Sequence, residues 1–314
     1  FFPHPPALDP TYQFRLAEAG GFSAIALGIG LATKYMGQHA GRVPLILKLN
    51  GKTNIPGDGD ATSPQFASVE DAVRLGADAV GYTLYVGSPR QHDELRQLRQ
   101  VREDCDRYGM PLVLWSYPRG SAIDAKGGKG SLYAQDYAAR VALEVGADIV
   151  KLHEPDDRRD GAPAPYDSLA EDAAARTSRV VRSAGRTIVL FSGGEKNDDD
   201  AAVLRKVEFY MQSGATGGVF GRPQWLRPVE PARWSHGPAR LGWRVWGPRI
   251  RFSHSGASSS RPCRCRSSGM KPMPASRRRR VSRPARSRSP GRTVPVPVRR
   301  PMIASTSSAW PLPS

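Results

Sequence analysis

Lys151 offers the most chemistry in this sequence. It stands in Asp148-Ile149-Val150-Lys151-Leu152-His153, where an otherwise apolar strand would enclose a cation. Desolvation there disfavours the ammonium, and a neutral lysine is a nucleophile that forms Schiff bases with carbonyl carbons. The competing reading is a lysine whose stem packs inward while its ammonium reaches the rim of the sheet. A second candidate group is Leu114-Trp115-Ser116-Tyr117-Pro118-Arg119-Gly120. Trp115 and Tyr117 are two residues apart, so they share a strand face, and a phenol placed there can carry a proton. Ordinary aromatic packing competes with that reading, while Arg119 brings a charge to the strand end. Ser192-Gly193-Gly194 and Gly221-Arg222 form the third group. Glycines expose backbone amides to an anion, and taken together the two sites read as a phosphate cradle, although each alone reads as a turn.

Other residues carry less. Lys48, between Leu47 and Leu49, is expected either to point inside or, more simply, to sit in a structural ion pair. His153 and Glu154 lie close to Asp156 and Asp157, but no second ligand set has recognisable metal-binding spacing. Asp198 to Asp200 read as favourable charge at a helix start. Cys105 falls on the apolar stripe Leu95, Leu98, Val101, Cys105, Tyr108 and is expected to be core packing.

The elements that must position these residues are legible as one recurring phrase. A helix end, a glycine and a short apolar strand recur at Gly20-Gly21, at Leu75-Gly76-Ala77-Asp78, at Val145-Gly146-Ala147-Asp148 and at Ser213-Gly214-Ala215-Thr216. Each glycine stands where a helix C-terminus favours a left-handed residue. Further strands are expected at 45–49, 112–117 and 187–192, giving seven near residues 24, 46, 81, 114, 150, 189 and 219. Helices are expected near 9–19, from an N-cap at Ser88 with Pro89 in the first turn, at 134–145 and at 199–213; 156–167 reads as a loop. Strands alternating with helices and buried on both faces mean a parallel α/β sheet. A TIM (β/α)8 barrel has eight strands, so the first is expected to be missing here. The rival, a doubly wound open sheet, would show a glycine fingerprint after its first strand, and Gly28-Ile29-Gly30 lacks the third glycine. In a barrel the chemistry belongs at the C-terminal strand ends, where the three groups above fall, and phosphate sites follow the last two strands.

Charge is divided unevenly along the chain. The net charge of +17 over 314 residues would suggest a nucleic-acid binder, but residues 228–314 hold 19 of the 46 Lys and Arg and one of the 29 Asp and Glu. Residues 1–227 therefore carry 27 basic and 28 acidic side chains, a net of −1. No apolar run is long enough to span a bilayer, there is no signal-peptide pattern at the start, and the single body cysteine fits a reducing cytoplasm.

The strand ends, in their order, resemble the archaeal-type class I fructose-bisphosphate aldolases of the deoxyribose-phosphate aldolase-like barrel superfamily. The resemblance rests on Leu45-Ile46-Leu47-Lys48-Leu49-Asn50, Trp115-Ser116-Tyr117-Pro118-Arg119-Gly120, Asp148-Ile149-Val150-Lys151, Ser192-Gly193-Gly194 and Gly221-Arg222. It implies cleavage of fructose 1,6-bisphosphate through a Schiff base on Lys151, with Tyr117 exchanging protons. It further implies substrate contacts from Trp115, Arg119, Leu152 and His153, and phosphate binding by Ser192, Gly193, Gly194, Gly221 and Arg222. It implies no metal and no cofactor, a sugar bisphosphate as partner, a homo-oligomer, and a place in cytoplasmic glycolysis and gluconeogenesis. Related transaldolase-like synthases and thiolases of other phosphorylated sugars share the lysine and phosphate elements; the Trp two residues before the Tyr favours the fructose-bisphosphate enzyme.

Two departures stand out. The family's first strand, with an Asp that contacts substrate, has no counterpart, and after Trp225 no amphipathic closing helix follows. Residues 228–314 instead hold 16 serines and 14 prolines, with the run Arg277 to Arg280, a composition expected to be disordered. A nucleic-acid-binding arm, a solvated linker and a shifted reading frame are the three readings of that tail. No aromatic interleaves with the arginines between Arg261 and Arg300 to stack on bases, so a function in nucleic-acid binding ranks below the aldolase reading. The shifted frame is the preferred reading of the tail, because a recognisable fold gives way mid-element to Arg, Ser, Pro and Ala.

Overall fold

A Gly-Ala-Asp phrase does more than end a helix; it also sets the register of the next strands. In the computed structural model, which describes residues 5–53, 55–193 and 200–221, helix α3 (Val69–Arg74) ends at Gly76 with φ +64°, and α6 (Leu132–Glu144) ends at Gly146 with φ +83°. The amides of Ala77 and Ala147 then reach back to the carbonyls of Ala72 and Ala142, at 2.9 and 3.0 Å, closing the helix ends. The aspartate that follows receives the amide that opens a neighbouring strand: Leu45 N donates to Asp78 Oδ2 and Leu112 N to Asp148 Oδ2, each at 2.9 Å. A one-residue slip would break that bond and turn every side chain to the wrong face.

Seven strands result: β1 (Ile25–Gly28), β2 (Leu45–Lys48), β3 (Ala79–Val86), β4 (Leu112–Pro118), β5 (Ile149–Leu152), β6 (Ile188–Ser192) and β7 (Gly217–Val219). All neighbouring pairs are parallel and lie in chain order, β1 to β7. The connecting helices are α1 (Tyr12–Ala19), α2 (Ile29–Tyr35), α3, α4 (Gln91–Tyr108), α5 (Ser121–Asp124), α6, α7 (Ala173–Ser183) and α8 (Asp200–Gln212). Strand–helix alternation with sequential parallel pairing is the TIM-barrel arrangement, here a curled sheet of seven strands among the described residues. All seven strands fall where the sequence placed them.

The strands divide their residues between two layers. Leu47, Tyr82, Leu114, Val150, Leu152 and Phe191 are sealed under the helices in the main core. The alternate residues Ala79, Val113, Trp115 and Ile149, with Ile46, Tyr117, Ile188 and Leu190, pack together inside the curl. Cys105 is buried in the helix-side core, and burial pushes its thiol up to about 12, which makes it an inert packing group.

One helix start differs from expectation. Helix α4 begins at Gln91 with Arg90 as its N-cap, not at Pro89 with Ser88 as its cap, because the Ser88 hydroxyl is used elsewhere: it donates to the Ala61 carbonyl and accepts from Arg90 N. The segment 156–167 is a loop, as its composition requires. Gly194, Arg222, the Asp198–Asp199 pair, the body–tail boundary at 227 and the tail 228–314 lie outside the described residues.

Candidate active site

Strands β4 and β5 pair Trp115 with Lys151, and the period of two along each strand sends both side chains into the curl. Lys151 Nζ lies 5.9 Å from the Trp115 ring centroid and 5.6 Å from that of Tyr117. Lys151 is half-buried, so an incoming carbonyl carbon has access to its amine. Trp115 is held by its neighbours: Lys48 Nζ sits 4.0 Å from its centroid, and Gly81 makes room beneath it. A Cβ on Gly81 would come within 2.7 Å of the indole and 2.8 Å of the Lys48 stem, so only glycine fits.

Lys48 is a second lysine in the same interior. The expectation of a structural ion pair fails: among the described residues its recorded partners are the Thr83 hydroxyl, which accepts its hydrogen bond at 2.8 Å, and the Trp115 face. With neutral partners, desolvation and then the charge of Lys151 hold its pKa well below the usual lysine value.

One layer nearer the strand ends, Tyr117 stacks on His153 with ring centroids 4.7 Å apart. Burial raises the Tyr117 pKa, so its phenol enters chemistry as an acid; Arg119 and an interaction with the Ser192 side chain oppose that shift. The Arg119 guanidinium lies 5.4 Å from the Tyr117 ring and 6.0 Å from that of Tyr85. His153 is placed by its backbone, whose N–H donates to Gln135 Oε1 at 3.0 Å, and Gln135 is fully buried on α6. The adjacent Glu154 faces α8, where it accepts from Tyr210 and pairs with Lys206, each at 3.0 Å.

The β6–β7 end is arranged differently from its sequence reading. The Gly193 amide donates to the Val219 carbonyl at 3.0 Å, so it extends the sheet and is not presented to a ligand. Gly193 and Gly218 both leave room for the Phe220 ring, which would lie 2.2 and 2.7 Å from a Cβ at these positions. Ser192 Oγ is the group there that reaches the interior, next to Tyr117. Gly221 closes the described part of this mouth.

The structure therefore brings together Lys151, Trp115, Tyr117, Arg119, His153 and Ser192. It does not bring the Leu152 side chain with them: chain neighbours on a strand point to opposite faces, and Leu152 is buried at 0% exposure in the helix-side core. Sequence reasoning missed Thr83, Asn50 and Glu94. Asn50 lies two residues beyond Lys48, a visible interior-face spacing; it donates to the Thr83 carbonyl at 2.8 Å and accepts from Thr83 N at 2.6 Å. Among the described residues no group of three His, Cys, Asp or Glu side chains could hold a metal ion, and no helix is long and apolar enough to cross a membrane.

Known proteins share this arrangement. Fructose-bisphosphate aldolase class 1 of Thermoproteus tenax is 39% identical over 227 residues, covering 72% of this chain and 78% of that protein. Fructose-bisphosphate aldolase/6-deoxy-5-ketofructose 1-phosphate synthase of Methanocaldococcus jannaschii is 29% identical over 230 residues, covering 71% and 69%. A solved structure of an archaeal fructose-1,6-bisphosphate aldolase, with its catalytic Lys covalently bound to the carbinolamine intermediate of the substrate, superposes with a TM-score of 0.63 at 36% identity. It covers 76% of this chain and 85% of that one. These likenesses bear out the resemblance read from the strand ends. The model of the DeoC/LacD family aldolases matches residues 6–227, from the first described turn through the last strand and beyond, and the chain belongs to that family.

Proposed function

We propose that this chain is a class I aldolase that cleaves fructose 1,6-bisphosphate into dihydroxyacetone phosphate and glyceraldehyde 3-phosphate through a Schiff base on Lys151. The observation that carries this is the position of Lys151 Nζ inside the barrel curl, within 6 Å of both the Trp115 and the Tyr117 rings. A neutral Lys151 amine adds to the C2 carbonyl, and loss of water gives an iminium. The C4 hydroxyl gives up its proton to solvent, the C3–C4 bond breaks, and its electron pair moves into the iminium to leave an enamine. Glyceraldehyde 3-phosphate departs. A proton delivered to C3 and hydrolysis then release dihydroxyacetone phosphate and restore the amine.

Tyr117 is the proton carrier in this scheme. Its raised pKa keeps it protonated and ready to donate to the enamine, and Arg119 at 5.4 Å eases the transient phenolate. Trp115 fixes the reacting face, and Ser192, with Gly194, Gly221 and Arg222, belongs to the phosphate end. The same reading places the enzyme in cytoplasmic sugar catabolism and synthesis, as a homo-oligomer. A second reading is synthase chemistry on the same iminium, and the double name of the Methanocaldococcus jannaschii relative favours it.

Borohydride reduction in the presence of dihydroxyacetone phosphate, followed by peptide mass analysis, tests the scheme. The expected adduct is on Lys151. An adduct on Lys48, whose charged form is disfavoured by burial, would transfer the nucleophile's role to β2.

A further inference from the structure

A phenol that gives its proton to an enamine must recover one before the next turnover, and a second phenol stands beside Tyr117. Strands β3 and β4 pair Thr83 with Trp115 and Tyr85 with Tyr117. The period of two along β3 places Tyr85 on the same inner face as Thr83, whose hydroxyl meets Lys48. The two tyrosines are therefore neighbours across one strand spacing, about 4.8 Å at the backbone. Tyr85 is 7% exposed, so it belongs to the interior and not to the surface.

One cation serves both rings. The Arg119 guanidinium lies 5.4 Å from the Tyr117 centroid and 6.0 Å from that of Tyr85. Arg119 is fixed to the β3 end, because its amide donates to the Val86 carbonyl at 2.9 Å. Glu94 holds Tyr85 in turn, accepting from its amide at 2.7 Å. Arg119 favours ionisation of either phenol, while Tyr85 opposes ionisation of Tyr117. The pair thus accommodates one negative charge at a time.

The two phenols differ in what lies outside them. Burial first, then Glu94 and Asp58, raise the Tyr85 pKa to about 12 against the pull of Arg119. Asp58 is 42% exposed at the mouth, 3.0 Å from Arg119 Nε, with Lys52 and Lys129 at 3.2 and 3.3 Å. Its loop is anchored through Ser63, whose amide donates to Glu94 at 2.6 Å. Tyr117 responds to Arg119, Tyr85 and Ser192 instead of to this carboxylate. Tyr85 therefore stands on the solvent side of Tyr117.

We propose that Tyr85 is the proton reservoir for Tyr117. As the Tyr117 O–H bond breaks and its proton bonds to C3 of the enamine, the Tyr85 hydroxyl passes its own proton to the Tyr117 oxygen. Solvent at the mouth then returns a proton to the Tyr85 phenolate, with Arg119 beside the negative charge at both positions. That uptake balances the proton the C4 hydroxyl released. Tyr85 touches no substrate; it acts through Tyr117 by positioning the proton that Tyr117 delivers. The relay rests on the aldolase reading and deepens it.

The test follows dihydroxyacetone phosphate in heavy water by proton NMR, because enamine formation and protonation replace hydrogen by deuterium at the carbon that was C3. That exchange requires the proton on Tyr117 to be renewed from solvent. Tyr85→Phe keeps the ring, and exchange is expected to fall about tenfold or more, with kcat for cleavage falling and KM unchanged. Borohydride trapping on Lys151 should stay at the wild-type rate, since the iminium forms before any proton reaches C3. Adding Tyr85→Phe to Tyr117→Phe should cost nothing further, because the relay has already lost its inner end. Exchange at the wild-type rate in Tyr85→Phe overturns the proposal. So does a loss of trapping in proportion to exchange, which marks a structural support, or an additive loss in the double variant. Absence of trapping in the wild type is a separate outcome, which removes the aldolase reading and the relay with it.

Discussion

Lys151 and Leu152 are chain neighbours that belong to different parts of the molecule. Leu152 lies at 0% exposure with Val150, Leu114 and Phe191 in the layer between strands and helices. Lys151 faces the inside of the curl, where Lys48, Thr83, Trp115 and Tyr117 stand around a half-buried space. The sheet concentrates its apolar burial on the helix side, which supplies most of the folding free energy. That leaves the inner face free to hold Lys151 and also Lys48, whose charged form burial disfavours, a side chain that a stability-bearing core could not tolerate. Backbone rigidity comes from one face and reactivity from the other. If this division is correct, substitutions on the two faces have different signatures.

The largest effect is expected on the inner face. Lys151→Met removes the nucleophile, and cleavage should fall by about 10⁴-fold or more, with the denaturation midpoint unchanged or raised. Methionine preserves the stem without a cation to desolvate. Steady-state kinetics and urea denaturation on the same preparation check both halves. A large loss of stability would show that the inner face carries the fold as well. Tyr117→Phe comes next, with a fall of about 10²- to 10⁴-fold in turnover. Borohydride trapping of dihydroxyacetone phosphate on Lys151 should survive, because iminium formation precedes the proton transfers assigned to Tyr117. Loss of trapping together with turnover would indicate that the phenol acts earlier, or only supports Lys151.

On the outer face the pattern reverses. Leu152→Ala should destabilise the protein by about 2–5 kcal/mol, the range for emptying a leucine site in a close-packed core. The fraction that remains folded should keep its KM. A changed KM at full folding would place Leu152 in the substrate site, where the family resemblance implied it belonged.

What could be read from the sequence follows the same division. The seven strands and the helix ends were legible because each is set by a local pattern, such as Leu75-Gly76-Ala77-Asp78 with its left-handed glycine. Trp115, Tyr117 and Lys151 were legible because polar or aromatic residues at period two on apolar strands have few places to go. The grouping of Lys52, Asp58 and Lys129 was not legible, since these residues lie on loops that meet only once the barrel curls. Lys48 was misassigned for a related reason: its neutral partner Thr83 comes from another strand, 35 residues away. The start of α4 was misplaced because the Ser88 side chain has a long-range use at Ala61. The phosphate cradle at Gly193 was read from residue type alone, and the sheet uses that amide first.

Glu94 is where the two regions communicate, and it provides the smallest and most selective test. It is fully buried at the start of α4, on the helix side, yet its Oε1 accepts from Ser63 N at 2.6 Å and its Oε2 from Tyr85 N at 2.7 Å. Desolvation raises its pKa from 4.5 to about 7, against the pull of those two amides. Between these values the folded state binds the proton and the unfolded chain releases it. The stabilisation is therefore complete below pH 4.5 and lost as pH rises through about 7, a change of about 3 kcal/mol. Glu94→Gln cannot titrate, so the stability of the wild type relative to this variant should fall across that window, as measured by urea denaturation at successive pH values. A difference that stays flat or rises would show that Glu94 is ionised in the folded state from acid pH upward. The amide nitrogen of Gln would also face one of two backbone donors and lose that bond, releasing Ser63 and with it the loop that carries Asp58 and Lys52. A bisphosphate KM that changes in Glu94→Gln while Leu152→Ala leaves it alone would locate the connection between the layers in this one carboxylate, and not in the core at large.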